Sequence, residues 1–169
     1  AWRVKDIVFY VLLGLATGIA SVYFSKMYFL ITRFFSRFSN AYIKIGIAAI
    51  AIGFMLYLFP PLYGEGYGLI NNLLNGKTEA ALSGIQYQID FNNIWMVIVI
   101  LLIIAVFKAI AMTTTFAAGG VGGIFIPTLF MGSALGNAVA KAINQFGFEV
   151  SEANFTLIGM TGLMAGVLH

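Results

Sequence analysis

Residues Gly119-Gly120-Val121-Gly122-Gly123-Ile124-Phe125-Ile126-Pro127 lie between two apolar stretches, each long enough for a helix. A continuous helix cannot run through them. Each glycine in a helix interior costs about 1 kcal/mol relative to alanine, and four of the five positions 119–123 are glycine. Pro127 then sits where a proline is tolerated, in the first turn of a new helix. The chain must therefore stop and restart, with the restart expected near Gly123 and Ile124. The first N–H groups of that helix, from Ile124, Phe125 and Ile126, have no partner within it and carry partial positive charge.

Composition identifies the solvent around this break. Hydrophobic residues make up 61% of the 169-residue chain and charged residues 9%, against about a quarter charged in a soluble domain. The chain is expected to be integral to a membrane, with room for about five spans. Lipid cannot satisfy backbone polar groups, so an irregular segment at membrane depth must be buried in protein or face a cavity. Helix N-termini are natural anion sites, and broken helices aimed at an anion recur in transporters. The same residues also allow a second reading: a tight helix–helix turn whose glycines serve packing alone.

Other function classes lose support. The net charge of +3 is too small and too dispersed for nucleic-acid binding. Without cysteine there are no disulfides or thiolate metal sites, and the single histidine, His169, cannot build a metal centre alone. No metal or cofactor is implied. The apolar run from Ile7 continues too far for a signal peptide. The chain begins at Ala1 without methionine and stops at His169 after an apolar run, so it reads as an excerpt of a longer polypeptide.

Five long helices are expected, over 6–38, 42–59, 93–115, 123–146 and 152–168, with a short amphipathic helix at 67–74. The first exceeds the hydrocarbon thickness and must tilt or protrude. It carries a Gly14/Gly18 pair of the kind that lets helices approach closely. Pro60-Pro61 ends the second sharply, and Gly159, Gly162 and Gly166 stud the fifth. Arg33, Arg37 and Lys44 flank the first connection, which has no acid. The connection 60–92 carries Glu65, Lys77, Glu79 and Asp90, and the last one Lys141, Glu149 and Glu152. The positive-inside rule places the first connection in the cytoplasm and the other two outside, with Arg3 and Lys5 counting against that orientation.

Lys108 interrupts the strongest apolar run. A charge within a span costs about 2.5–3.5 kcal/mol on insertion scales. It either raises the positive potential along an anion path or snorkels to the cytoplasmic interface at the end of its helix. Thr113, Thr114 and Thr115 could line a pore, but such hydroxyls more often bond back to helical carbonyls. Ser133 and His169 would be the residues of an intramembrane serine hydrolase, yet Gly132-Ser133-Ala134 lacks a nucleophile-elbow pattern. Glu65 reads as a solvated loop residue.

Gly123-Ile124-Phe125-Ile126-Pro127 resembles the GxFxP signature of the CLC chloride channel and antiporter family, many of whose members are called voltage-gated. The likeness extends in order along the chain. It takes in Lys108 and the threonines before the glycine run and Pro127 to Gly136 after it. It continues through the helix bearing Gly159-Met160, and upstream through the loop Tyr63-Gly64-Glu65-Gly66-Tyr67-Gly68-Leu69-Ile70. The resemblance implies an all-α polytopic bundle of tilted and broken helices. Residues 1–169 would be a partial transmembrane domain, most of the second of two inverted repeats, from the family's helix J to its helix O. It implies no enzyme activity. The transported ligand would be chloride or a similar anion, bound by backbone amides of Gly123, Ile124, Phe125 and Ile126. Ile124 and Phe125 would serve the central site and Ile126 the outer one. Gly119, Gly120, Gly122 and Pro127 would support the motif.

By the same resemblance, the gating glutamate and the serine and tyrosine ligands belong to parts of the polypeptide outside this chain. The complete protein would be a multi-pass homodimer in the lipid bilayer of a plasma or bacterial inner membrane. Two other readings use the same residues: a secondary transporter of another family with a broken-helix anion site, or the hydrolase built on Ser133.

Overall fold

Short polar side chains open three of the helices. The Asn40 Oδ1 accepts from the Tyr42 amide at 2.9 Å and begins α2 (Ala41–Leu58). Asn93 caps α5 (Ile94–Ala117) through Met96 at 3.4 Å. Ser151 caps α7 (Glu152–Leu168) through Asn154 at 3.4 Å. Each satisfies one of the orphan donors of its first turn. In the computed structural model, which describes residues 6–169, the remaining elements are α1 (Ile7–Ser36), a 3-10 turn at Pro60–Leu62, α3 (Tyr67–Leu74), α4 (Thr78–Ala81) and α6 (Phe125–Gln145). The described residues are thus all-helical, and the chain is integral to the membrane. Arg3 and Lys5, which bear on its orientation, lie outside the described residues.

Among the described residues, three helices, α1, α2 and α5, are long and apolar enough to cross a bilayer. α7 has 17 residues. α6 is more polar because it buries Thr128, Ser133 and Asn137 against its neighbours. α1, with 30 residues, extends about 45 Å, well beyond the roughly 30 Å hydrocarbon core.

α6 and α7 make the most extensive helix pair. Glycine is the reason: a Cβ at Gly132 would fall on the Gly159 carbonyl, and one at Gly136 on the Phe155 carbonyl. Backbone meets backbone along this seam, as small residues permit in membranes. Around it, Asn137 donates to the Thr156 hydroxyl at 3.2 Å, and Lys141 pairs with Glu152 at 2.7 Å. Asn144 closes the connection by bonding both backbone groups of Val150.

α1 crosses α7 through a different face from the one expected. Thr17 lies 2.9 Å from where a Cβ of Gly162 would sit, and Ser21 2.8 Å from that of Gly166. Gly14 and Gly18 turn outward, with nothing within 4 Å of an added Cβ. The small residues that seat α1 are therefore on its partner, and the Gly14/Gly18 face is unpacked within the described residues. Leu101, Ile104, Phe130, Met131 and Leu163 fill the centre where α5, α6 and α7 meet.

Gly136→Ala should lower the stability of the full-length protein by about 1–3 kcal/mol, the usual cost of overpacking a tight core. Thermal unfolding in detergent checks this, and an unchanged melting temperature would show that the seam can open without cost.

Candidate functional site

The glycine run divides into two parts. Gly119, with φ of 98°, takes the left-handed position after α5. Its amide donates to the Phe116 carbonyl at 3.0 Å, and the Gly120 amide donates to the Thr115 carbonyl at 2.9 Å. These two bonds form a Schellman cap, which needs a residue that tolerates positive φ. Gly120 is needed for another reason: a Cβ there would lie 2.8 Å from the Thr115 carbonyl oxygen. The first two glycines therefore finish α5.

The second part is a row of unused donors. Among the described residues, the amides of Val121, Gly122, Gly123, Ile124, Phe125 and Ile126 reach no hydrogen-bond acceptor. The first bond of the new helix is donated by Thr128 to the Ile124 carbonyl at 3.2 Å. Ile124 occupies the cap position of α6 and supplies no side-chain acceptor. The helix thus starts at Phe125, later than the expected Gly123, with Gly122 and Gly123 outside any regular element and a bend at Ile124. Pro127 falls in the first turn and has no N–H to satisfy. Where α2, α5 and α7 begin on Asn or Ser, α6 begins bare.

A cavity of about 320 Å³ adjoins this row, walled by Ile52 and Leu56 of α2, Lys108 and Thr115 of α5, and Gly122 and Gly123. Lys108 is only 5% exposed. It lies inside α5, which continues to Ala117, so it does not snorkel to the end of its helix. Its ammonium donates to the carbonyls of Leu62 at 3.1 Å and Gly64 at 2.8 Å. It also stands 4.7 Å from the centroid of the Phe130 ring, a cation–π distance. No carboxylate lies within 4.0 Å of it among the described residues. Its charge is solvated by dipoles and is not cancelled.

The carbonyl partners are available because residues 63–66 turn sharply. Gly64 and Gly66 have φ of 66° and 86°, and a Cβ at Gly66 would strike the Phe130 ring. Phe130 thus touches both the lysine and the loop that holds it. Nothing in the sequence paired Leu62, Gly64 or Phe130 with Lys108. The available signal was the lysine's need for a partner beside a glycine-rich turn. Glu65 is exposed, as expected of a loop residue.

Thr113, Thr115 and Ser133 are satisfied locally. Thr113 and Thr115 donate to the carbonyls of Ala109 and Ala111. Ser133 is fully buried and donates to the Phe130 carbonyl at 2.7 Å. His169 follows α7 and is exposed. Ser133 is therefore not an accessible nucleophile, and no group of three or more His, Cys, Asp or Glu that could hold a metal is found among the described residues.

The model of the family described as voltage gated chloride channel matches residues 1–169. A ClcB-like chloride channel protein of Ralstonia nicotianae is 24% identical over 97% of the chain, and the match covers 35% of that protein. A voltage-gated ClC-type chloride channel, ClcB, of Escherichia coli is 23% identical over 75% of the chain and 26% of its own length. The chain thus spans about a third or less of these relatives. No solved structure matches it.

Replacing Lys108 with methionine keeps the stem and removes both bonds to the loop. Hydrogen exchange in the full-length protein should then speed up at amides 63–70 by about tenfold, as expected when a bond from a charged donor is lost. Unchanged protection there would mean that Phe130 alone holds the loop.

Proposed function

The chain belongs to the voltage-gated chloride channel family, and from that premise we propose that it supplies one side of an anion path. The amides of Gly123, Ile124, Phe125 and Ile126 are the ligands on that side. The observation that carries this reading is the uncapped start of α6 beside an unbroken row of free amides. Such groups require an acceptor in a medium that offers none. A chloride ion accepts several N–H bonds at once and matches the positive end of the helix dipole.

Apolar side chains suit the task. Ile124, Phe125 and Ile126 offer the anion backbone dipoles with no fixed charge beside them, so binding stays weak enough for release. Gly119 and Gly120 end α5 in time for the row to begin. Gly122 lets the chain pass close to Phe116, whose ring lies 3.1 Å from where its Cβ would be. Pro127 closes the first turn without adding a donor. Lys108, uncancelled and on the wall of the adjoining cavity, raises the positive potential there and draws anions toward the amides.

The remaining ligands would come from the rest of the polypeptide, which the relatives' greater length accommodates. Chloride is the ion named in the relatives' descriptions. Membership of the family sets aside a carboxylate transporter of another family. The buried, self-bonded Ser133 gives no support to a hydrolase.

An amide-to-ester replacement at Phe125 in the full-length protein removes one N–H and keeps the side chain. Losing a bond to a charged acceptor costs about 1.5–3 kcal/mol, so chloride affinity should fall tenfold or more, with a matching change in liposome efflux. Unaltered affinity would refute the assignment. Recording internal pH during the same efflux separates conductive from proton-coupled transport.

A further inference from the structure

Two cations of α1, Lys26 and Arg33, and its C-cap residue Arg37 share one narrow stripe. Lys26, Arg33 and Arg37 are spaced by seven and four residues, so at 100° per residue they fall within an arc of about 40°. Phe29 lies on one side of this stripe and Leu30 and Phe34 on the other. Together these six residues line a groove of about 470 Å³. All six are exposed, Phe29 at 70%, Leu30 at 60% and Phe34 at 44%. No carboxylate lies within 4.0 Å of the three cations among the described residues, and the connection 37–40 that follows has none.

The position along the helix sets the depth. α1 overshoots the hydrocarbon core, and its basic end is the one that leaves it. Arg33 and Arg37 are separated by roughly 6 Å along the axis, close to the thickness of one headgroup layer, about 5–8 Å. Lys26 lies roughly 10 Å deeper than Arg33, and its stem can carry the ammonium toward the same layer.

We propose that this groove is a binding site for an anionic phospholipid, with the phosphodiester between Arg33 and Arg37 and an acyl chain along Phe29, Leu30 and Phe34. Charge complementarity selects this occupant. A guanidinium pair holds a phosphate by bidentate bonds, and the flanking apolar side chains fit only a ligand that is also greasy. A soluble phosphate would use the cations and leave Phe29 and Phe34 in water. An acidic protein segment would need to place carboxylates at a depth where aromatics meet acyl chains. Basic pockets at the cytoplasmic boundary are suited to such headgroups, and each cation near the surface strengthens the attraction roughly fivefold.

Native mass spectrometry of the full-length protein tests this with phosphatidylglycerol and phosphatidylcholine of matched acyl chains. The wild type should retain phosphatidylglycerol preferentially. Combined Lys26→Gln, Arg33→Gln and Arg37→Gln should weaken that preference on the order of a hundredfold, and Arg37→Gln alone should weaken it severalfold. Melting in phosphatidylcholine should be unchanged by Arg37→Gln, which separates lost lipid from lost fold if the triple variant does not fold. Equal retention of the two lipids would overturn the proposal and would mean that the remaining polypeptide or a second copy covers the groove. Displacement of the lipid by millimolar inorganic phosphate, with no dependence on Phe29→Ala, would assign the site to free phosphate and overturn it equally.

Discussion

A peptide N–H in hydrocarbon has no water to fall back on, and that constraint organises the described residues. Inside a helix the ladder satisfies it, so α1, α2 and α5 can carry apolar side chains almost throughout. At helix ends it has to be met some other way. Asn40, Asn93 and Ser151 meet it with side-chain oxygens, and Gly119 and Gly120 meet it at the end of α5 by folding their own amides back. The start of α6 is the exception. Six consecutive amides reach no acceptor among the described residues, at a position where each unsatisfied donor would cost on the order of 1–3 kcal/mol if left dry. An anion bound there, as proposed above, would satisfy them.

The rest of the packing keeps that start in place. The glycine seam draws α6 against α7 so closely that backbone touches backbone. This fixes the axis of α6 and hence the direction of its free amides. On the other flank, Phe130 packs against Gly66 and stands over the Lys108 ammonium. Lys108 ties the loop at Leu62 and Gly64 to α5. A buried lysine without a carboxylate is costly, and carbonyl dipoles repay only part of that cost. The lysine stands on the wall of the cavity that Gly122 and Gly123 also line.

The break between α5 and α6 was legible in the sequence, because a glycine cluster reports directly on backbone hydrogen bonding; the short α4 (Thr78–Ala81) was not. The short helix at Tyr67–Leu74 was legible for a similar reason, its amphipathic spacing. Pairing was not. Gly14 and Gly18 look like a packing face, yet Thr17 and Ser21 make the contact, because which stripe of an apolar helix is buried depends on its neighbours. Lys108 read equally well as a snorkelling residue. Only the position of the 62–64 carbonyls, 44 and 46 residues away in sequence, decides otherwise. The division of the glycine run into a cap for α5 and a donor row before α6 also needed the backbone angles, since the glycines look alike as letters.

Crystals of the full-length protein soaked in bromide give the most direct test of the central claim. An anomalous peak is expected within hydrogen-bond reach of the Ile124 and Phe125 amides, at the uncapped start of α6. A site that stays empty at high bromide, with those amides bonded instead to protein groups from the rest of the polypeptide, would contradict it.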